Sequence, residues 1–135
     1  MTIDNTLLDN LTERAKASER LRMNYDLRDS AEEDCQRMLN AIEPGTVIPI
    51  HRHLTTSEDV IALRGRAEEV FFDETGAETG RWTLTPGGSE TGSVAAIQIP
   101  ARQYHTLRSL EPGTVIFECK SGRHNPAVTD EFLPC

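Results

Sequence analysis

Apolar residues fall at helical spacing only once, near the start of the chain. Leu7, Leu8, Leu11 and Ala15 form a stripe, with Asp9, Glu13, Arg14 and Lys16 on the polar faces. This spacing predicts a helix over residues 5–19, capped by Asn5 or Thr6. Ser30-Ala31-Glu32-Glu33 fits a capping box, yet the pattern after it turns strand-like, so one short helical turn is the most it predicts. Beyond residue 35, short apolar or alternating runs are separated by Glu43-Pro44-Gly45, Asp73–Gly80, Pro86-Gly87-Gly88, Gly92 and Glu111-Pro112-Gly113. That punctuation is characteristic of an all-β domain. Pro-Gly supplies the central pair of a type II turn, a fixed φ followed by a permitted positive one.

One internal echo is present. Glu43-Pro44-Gly45-Thr46-Val47-Ile48 recurs as Glu111-Pro112-Gly113-Thr114-Val115-Ile116. A turn sequence used twice is the simpler explanation of the turn itself; two related turn-plus-strand units are what a double Greek-key jelly roll would show. The halves would centre on residues 43–73 and 92–120.

With 135 residues the chain suits one domain. A formal charge of −8 excludes a phosphate-tracking partner, because nucleic-acid binders need a cationic face. Acids and bases are evenly mixed, 12 and 7 in residues 1–60 and 10 and 7 afterwards, so no basic arm hides inside the total. The longest apolar runs, Val94–Ile97 and Val115–Phe117, fall far short of a membrane span. Met1-Thr2-Ile3-Asp4 has no secretory character. Cys35, Cys119 and Cys135 are an odd number without C-x-x-C spacing, which disfavours a disulfide framework. The expected setting is cytoplasmic. Cys119 alternates with Val115 and Phe117 and reads as a small core residue. Val70, Phe71 and Phe72 read as barrel packing, Trp82 as a strand aromatic at a dimer surface, and His124 as a surface residue of the tail.

The candidate chemistry lies in the histidines. His51 and His53 are two apart, so on a strand both imidazoles reach one point. Glu58 follows five residues later at the head of Val60-Ile61-Ala62-Leu63, where the next strand of a hairpin can approach the same point. His105 opens another strand, past Ile97-Gln98-Ile99-Pro100. Three neutral imidazoles and a carboxylate suit a borderline divalent ion and leave coordination positions open. Two histidines alone are a partial ligand set, for which a solvated strand face beside Arg52 is the better account; the spacing of the surrounding residues shifts the balance. Strand alternation puts either Glu58 or Asp59 inside, and a one-residue slip exchanges them.

The spacing Gly45-x5-His51-x-His53-x4-Glu58-x6-Gly65 reproduces the first cupin motif at every fixed position. The second, G-x5-P-x-G-x2-H-x3-N, keeps Pro100 and His105 but has Val94, Arg102 and Ser109 at its other positions. Arg102 replaces a turn glycine, which costs about 1 kcal/mol if it takes positive φ. The chain also resembles the WbuC-type cupin fold metalloproteins, through Leu21-Arg22-Met23-Asn24, Gln36–Thr46, His51-Arg52-His53, Leu63–Arg66 and Ser109–Gly113. This resemblance implies a single cupin double-stranded β-helix, or jelly-roll barrel, with an N-terminal α-helix. It implies one divalent transition metal (Fe, Mn, Ni, Co, Cu or Zn) held by His51, His53, Glu58 and His105. It further implies a link to O-antigen or other surface-polysaccharide synthesis, without fixing an activity.

The expected organisation is a helix and extended lead-in over 1–34, a barrel over 35–120 and a packed or frayed tail over 121–135. Arg22, Asn24 and Tyr25 in the lead-in, Gln36 and Asn40 on one face of a strand with Arg37 on the other, and Tyr104 beside His105 are the substrate-binding candidates. An inward polar face would orient ligands or bind a sugar hydroxyl; edge-strand solvation is the alternative, and Tyr104 serves rim or core. The functional expectation is a metal-dependent enzyme, an isomerase, epimerase, lyase or dioxygenase, on a small sugar-like molecule. A non-catalytic binding or sensor module is the alternative. Open barrel edges favour a homodimer.

Overall fold

The computed structural model describes residues 1–134; Cys135 lies outside the described residues. Helix α1 spans Asn5–Ala17. Its cap is Asp4, one residue earlier than expected, whose carboxylate accepts from the Leu7 N–H at 3.0 Å. Ten strands follow among the described residues: β1 (Arg22–Asp26), β2 (Cys35–Ile42), β3 (His51–His53), β4 (Glu58–Arg64), β5 (Ala67–Phe72), β6 (Glu78–Leu84), β7 (Ala96–Ile99), β8 (Tyr104–Ser109), β9 (Thr114–Ser121) and β10 (Asp130–Phe132). A four-residue helix, α2 (Pro126–Thr129), leads into β10. The strands form two five-stranded sheets, ordered β1-β2-β9-β4-β7 and β10-β3-β8-β5-β6, with antiparallel neighbours throughout. Chain neighbours are dispersed between the two sheets, as in a jelly roll.

Both flanking segments contribute to the sheets. The extended lead-in is itself an edge strand, since β1 pairs with β2 over its whole length. The tail is neither loose nor merely packed, because β10 pairs with β3 and extends the second sheet. The sequence echo holds for the turns only. In both copies the threonine hydroxyl donates to the glutamate carbonyl, Thr46 to Glu43 at 2.7 Å and Thr114 to Glu111 at 2.8 Å. In both, the glycine has positive φ. Thr114-Val115-Ile116 then opens β9, whereas Thr46-Val47-Ile48 runs on as coil with Val47 exposed. The buried Glu43 carboxylate accepts from the Gly113 N–H at 2.8 Å, so the first turn clamps the second.

Two apolar cores follow from strand alternation. Leu8, Leu11 and Ala15 of α1 pack on Leu39, Ala41 and Val115, the outer face of the first sheet. Each fully buried leucine there contributes about 1.5–3 kcal/mol. Tyr25 belongs to this outer face. The second core lies between the sheets, built from Ile42, Val60, Ala62, Ala67, Leu84, Ile99, Leu107 and Ile116. Phe71 and Trp82 pack against it with ring centroids 4.7 Å apart, and Trp82 stays half-buried on the edge strand β6. Cys119 is half-buried, and Cys35 is exposed.

Along four strands the inward positions change from apolar to polar. They run Ala62, Val60, Glu58 on β4; Leu107, His105 on β8; Ile116, Glu118, Lys120 on β9; and Ile42, Asn40, Met38, Gln36 on β2. One end of the barrel is therefore sealed by hydrocarbon, and the other holds ionisable side chains.

Two turns fix this arrangement. Gly65, the last residue of the histidine motif, has φ +79°, and a Cβ there would lie 2.7 Å from the Thr114 Cα. Only glycine satisfies both the angle and the approach. Arg102 does take positive φ, +71°, and its N–H donates to the His53 carbonyl at 2.7 Å.

Candidate metal centre

Short strand β3 presents His51 and His53 on one face, and its only register partner on β8 is His105, directly across from His51. Antiparallel partners share a face, so the three imidazoles converge. Ring centroids are separated by 4.4 Å (His51–His105), 5.0 Å (His51–His53) and 5.4 Å (His53–His105). One ring nitrogen from each lies within 4.8 Å of the other two. From β4, Glu58 places Oε2 2.7 Å from the His53 Nε2. Asp59 points to the opposite face and accepts from the Gln98 amide at 2.9 Å. The structure thus resolves the Glu58/Asp59 choice in favour of Glu58 facing the cluster.

The tautomers are set from behind. The His51 Nδ1 donates to the Pro49 carbonyl at 2.8 Å, and the His105 Nδ1 to the Gln103 carbonyl at 2.9 Å. A carbonyl only accepts, so each Nδ1 carries the proton and each Nε2 keeps a lone pair for the interior. The His53 Nδ1 donates to the Asp130 carboxylate at 2.7 Å. Lys120 Nζ, 3.3 Å from the same nitrogen, has no lone pair left there to meet. The Nε2 atoms of His53 and His105 are buried with no aligned hydrogen-bond partner among the described residues. Buried polar atoms without partners are costly, and the His105 lone pair, aimed at the point where the other two imidazoles and a carboxylate converge, fits a cation. Imidazole plus carboxylate is the donor chemistry of divalent transition ions.

Burial pushes His51 down and, with the neighbouring His51 charge, lowers His105 to about 4. Both stay neutral near neutrality, as coordination requires. Burial also opposes charge on His53, but the Glu58 and Asp130 carboxylates on either side outweigh it and hold this imidazole above its ordinary value. Burial would raise Glu58, yet the His53 contact and the His105 charge keep it below the usual carboxylate range.

The cluster opens into a cavity of about 460 Å³, within the range of small-molecule sites. Of the predicted substrate contacts, Arg22, Asn24, Gln36 and Asn40 line it. Gln36 donates its amide to the Gly122 carbonyl at 2.8 Å. Tyr25 does not line it, because alternation turns it to the α1 side while its neighbour Asn24 faces in. Tyr104 does not line it either; it is buried on the face opposite His105, beneath the Arg52 guanidinium 4.5 Å from its ring centroid. His124, expected at the surface, is exposed yet borders the cavity. Asp130, Glu69, Glu118 and Lys120 also line it, and sequence reasoning missed all four. The Glu68-Glu69 doublet held a signal, because adjacent strand residues face opposite ways and one carboxylate had to point inward.

Two interlocked antiparallel sheets around a histidine-lined cavity define a cupin barrel. Solved structures of cupin proteins share the fold. CapF, the capsular polysaccharide assembling protein from Staphylococcus aureus, is similar with a TM-score of 0.69 at 17% identity, over 87% of this chain and 31% of CapF. Oxalate decarboxylase from Bacillus subtilis is similar at 0.59 and 17%, over 83% of this chain and 27% of the enzyme. KdgF from Halomonas sp. is similar at 0.58 and 14%, over 79% of this chain and 85% of KdgF. The chain spans about a third of the length of CapF, and at these identities the likeness shows the fold alone. The chain belongs to the family described as Domain of unknown function (DUF6016), which matches residues 3–84. No curated protein sequence matches it. No helix among the described residues is long and apolar enough to cross a membrane.

Proposed function

We propose that this chain is a small cupin metalloprotein holding one divalent transition ion through His51, His53, Glu58 and His105. We read it as a metal-dependent enzyme acting on a small polar, sugar-like molecule. The observation that carries this reading is the convergence of three imidazoles, one ring nitrogen of each within 4.8 Å of the others, with the buried His105 Nε2 left without a partner and the Nδ1 atoms fixed to acceptors. A bound ion would supply Lewis-acid polarisation of a carbonyl or hydroxyl. The chain's own residues do the rest. Asp130 and the two carbonyls hold the ring planes, and Glu58 offsets the charge. Arg22, Asn24, Gln36 and Asn40 offer the polar wall along which a ligand is oriented. Arg22 makes no ion pair among the described residues, which leaves its guanidinium to a ligand.

The likeness to CapF and the WbuC-type sequence resemblance both support a role in surface-polysaccharide synthesis. Free thiols at Cys35 and Cys119 fit a reducing cytoplasm. The edge strands β1 and β7 fit a homodimer, which light scattering would register. Elemental analysis of the purified chain tests the central claim. About one transition ion per chain is expected, lost in His51→Ala; a parent chain that neither carries nor takes up such an ion refutes it. Turnover of a sugar nucleotide that disappears with His51→Ala supports the enzyme. Ligand-induced stabilisation without product would make the chain a binding module instead.

A further inference from the structure

Glu69 occupies a position where a barrel of this kind calls for hydrocarbon. It lies across from Leu107 on β8, one inward position deeper than His105, where the apolar core begins. It is 1% exposed, and neither carboxyl oxygen has a hydrogen-bond partner among the described residues. It forms no ion pair among the described residues, although its neighbour Glu68 on the outer face pairs with Arg81 and Arg108. Two other buried acids differ: Glu43 accepts from Gly113, and Glu58 faces His53. A second orphan shares the cavity with it. Asn40 is 6% exposed, and its side-chain Oδ1 is also without a partner. Burial next to the Glu58 and Glu118 charges pushes Glu69 well above the ordinary carboxylate range. Burial and the Glu58 charge likewise raise Glu118, to about 8. An ionised carboxylate buried with neither oxygen partnered is costly, so this environment favours the neutral acid, with one O–H to give and one oxygen to receive.

We propose that Glu69 and Asn40 form the hydroxyl-binding subsite of the cavity, with Glu69 donating to, and Asn40 accepting from, the hydroxyl groups of a sugar ring. A hydroxyl meets both needs at once, since it donates and accepts through the same oxygen. A carboxylate or phosphate at this depth would satisfy Glu69 but leave Asn40 facing another acceptor. A hydrocarbon would satisfy neither. Charged parts of a ligand belong nearer the mouth, where Arg20 and Arg22 stand. This inference rests on the reading of the cavity as a small-molecule site, and it adds the ligand's chemistry and a contact, Glu69, that the motif spacing does not contain.

The test uses the chain loaded with cobalt(II) and titrated calorimetrically with six-carbon sugars, each free and as its 1-phosphate. At least one pair is expected to bind, with affinity falling at least about tenfold in Glu69→Leu and less in Glu69→Gln, whose amide still donates. Metal content is measured alongside and stays at the parent level in both variants, so a failure of the metal reading shows up separately. The metal-free Glu69→Leu chain is expected to melt no lower than the parent, because it loses only an unpartnered carboxyl. If Glu69→Leu does not fold, Glu69→Gln carries the binding comparison. Sugar binding equal in parent and variants, or absent from the parent, overturns the proposal. So does a lowered melting point with unchanged binding, which would make the carboxyl a structural group.

Discussion

Asp130 gives the sharpest test of the metal centre, because it touches the site only through His53. Its carboxylate lies 2.7 Å from Nδ1, and the side chain is 9% exposed. A hydrogen bond to a charged group contributes about 1.5–3 kcal/mol, and removing such a partner costs about 10–100-fold in metal affinity. Two opposed effects enter. Without Asp130 the imidazole loses its orientation and part of its basicity, which weakens coordination. The same loss lets the His53 proton leave more easily, which favours the ion wherever that proton competes. His53 is held above its ordinary value partly by Asp130, so competition matters below and around that range and vanishes above it. The full loss therefore appears at about pH 8 and shrinks toward about pH 6. Chelator-competition titrations of Asp130→Ala at both pH values should give a loss near 100-fold at the upper one, with Asp130→Asn nearer tenfold. An Asp130→Ala affinity within about twofold of the parent at about pH 8 would refute the reasoning, since the tautomer would then not be set from the tail.

Other outcomes follow from the same geometry. Metal uptake should release protons from His53 alone, because His51 and His105 are already neutral near neutrality, and the release should grow as pH falls; calorimetry in buffers of different ionisation heat reads this directly, and a release of more than about one proton per ion near neutrality contradicts it. In the metal-free chain the depressed His105, at about 4 against 6.5, contributes stability present at and above the unfolded value and lost as pH falls toward the folded one. Relative to His105→Leu, the parent should lose about 3 kcal/mol across that window in denaturant titrations. Arg102→Gly relieves a left-handed arginine worth about 1–2 kcal/mol and gives back about 0.5–1 kcal/mol of chain entropy, so it should stabilise slightly; a loss of stability would mean that the arginine side chain matters. Gly65→Ala combines a forbidden φ with a clash against the Thr114 backbone and should cost about 3 kcal/mol or abolish soluble expression.

The histidine motif was legible because strand alternation is strict. With His51 and His53 on one face and the next strand starting at Glu58, the convergence follows once the hairpin exists, and only the Glu58/Asp59 register stayed open. Arg102 was legible as a strained turn because the spacing put it where a glycine belongs. Helix α1 was legible from its stripe, though its cap was not, since Asp4, Asn5 and Thr6 are all competent. Asp130 was not legible. Three residues in a strand carry no periodicity, and what joins them to His53 is a pairing 77 positions away in the chain. Tyr25 and Asn24 show the limit from the other side: alternation separated them, but which of the two faced in depended on where α1 would lie.

The pairing of β10 with β3 spans only three residues, Asp130–Phe132 against His51–His53. So small a ladder opens far more often than the two sheets come apart. Each opening withdraws the acceptor behind one imidazole while the rest of the barrel stays folded. Exchange of an ion at this centre would then be gated by fraying of the tail, and chelators would strip it at a rate insensitive to the global melting temperature.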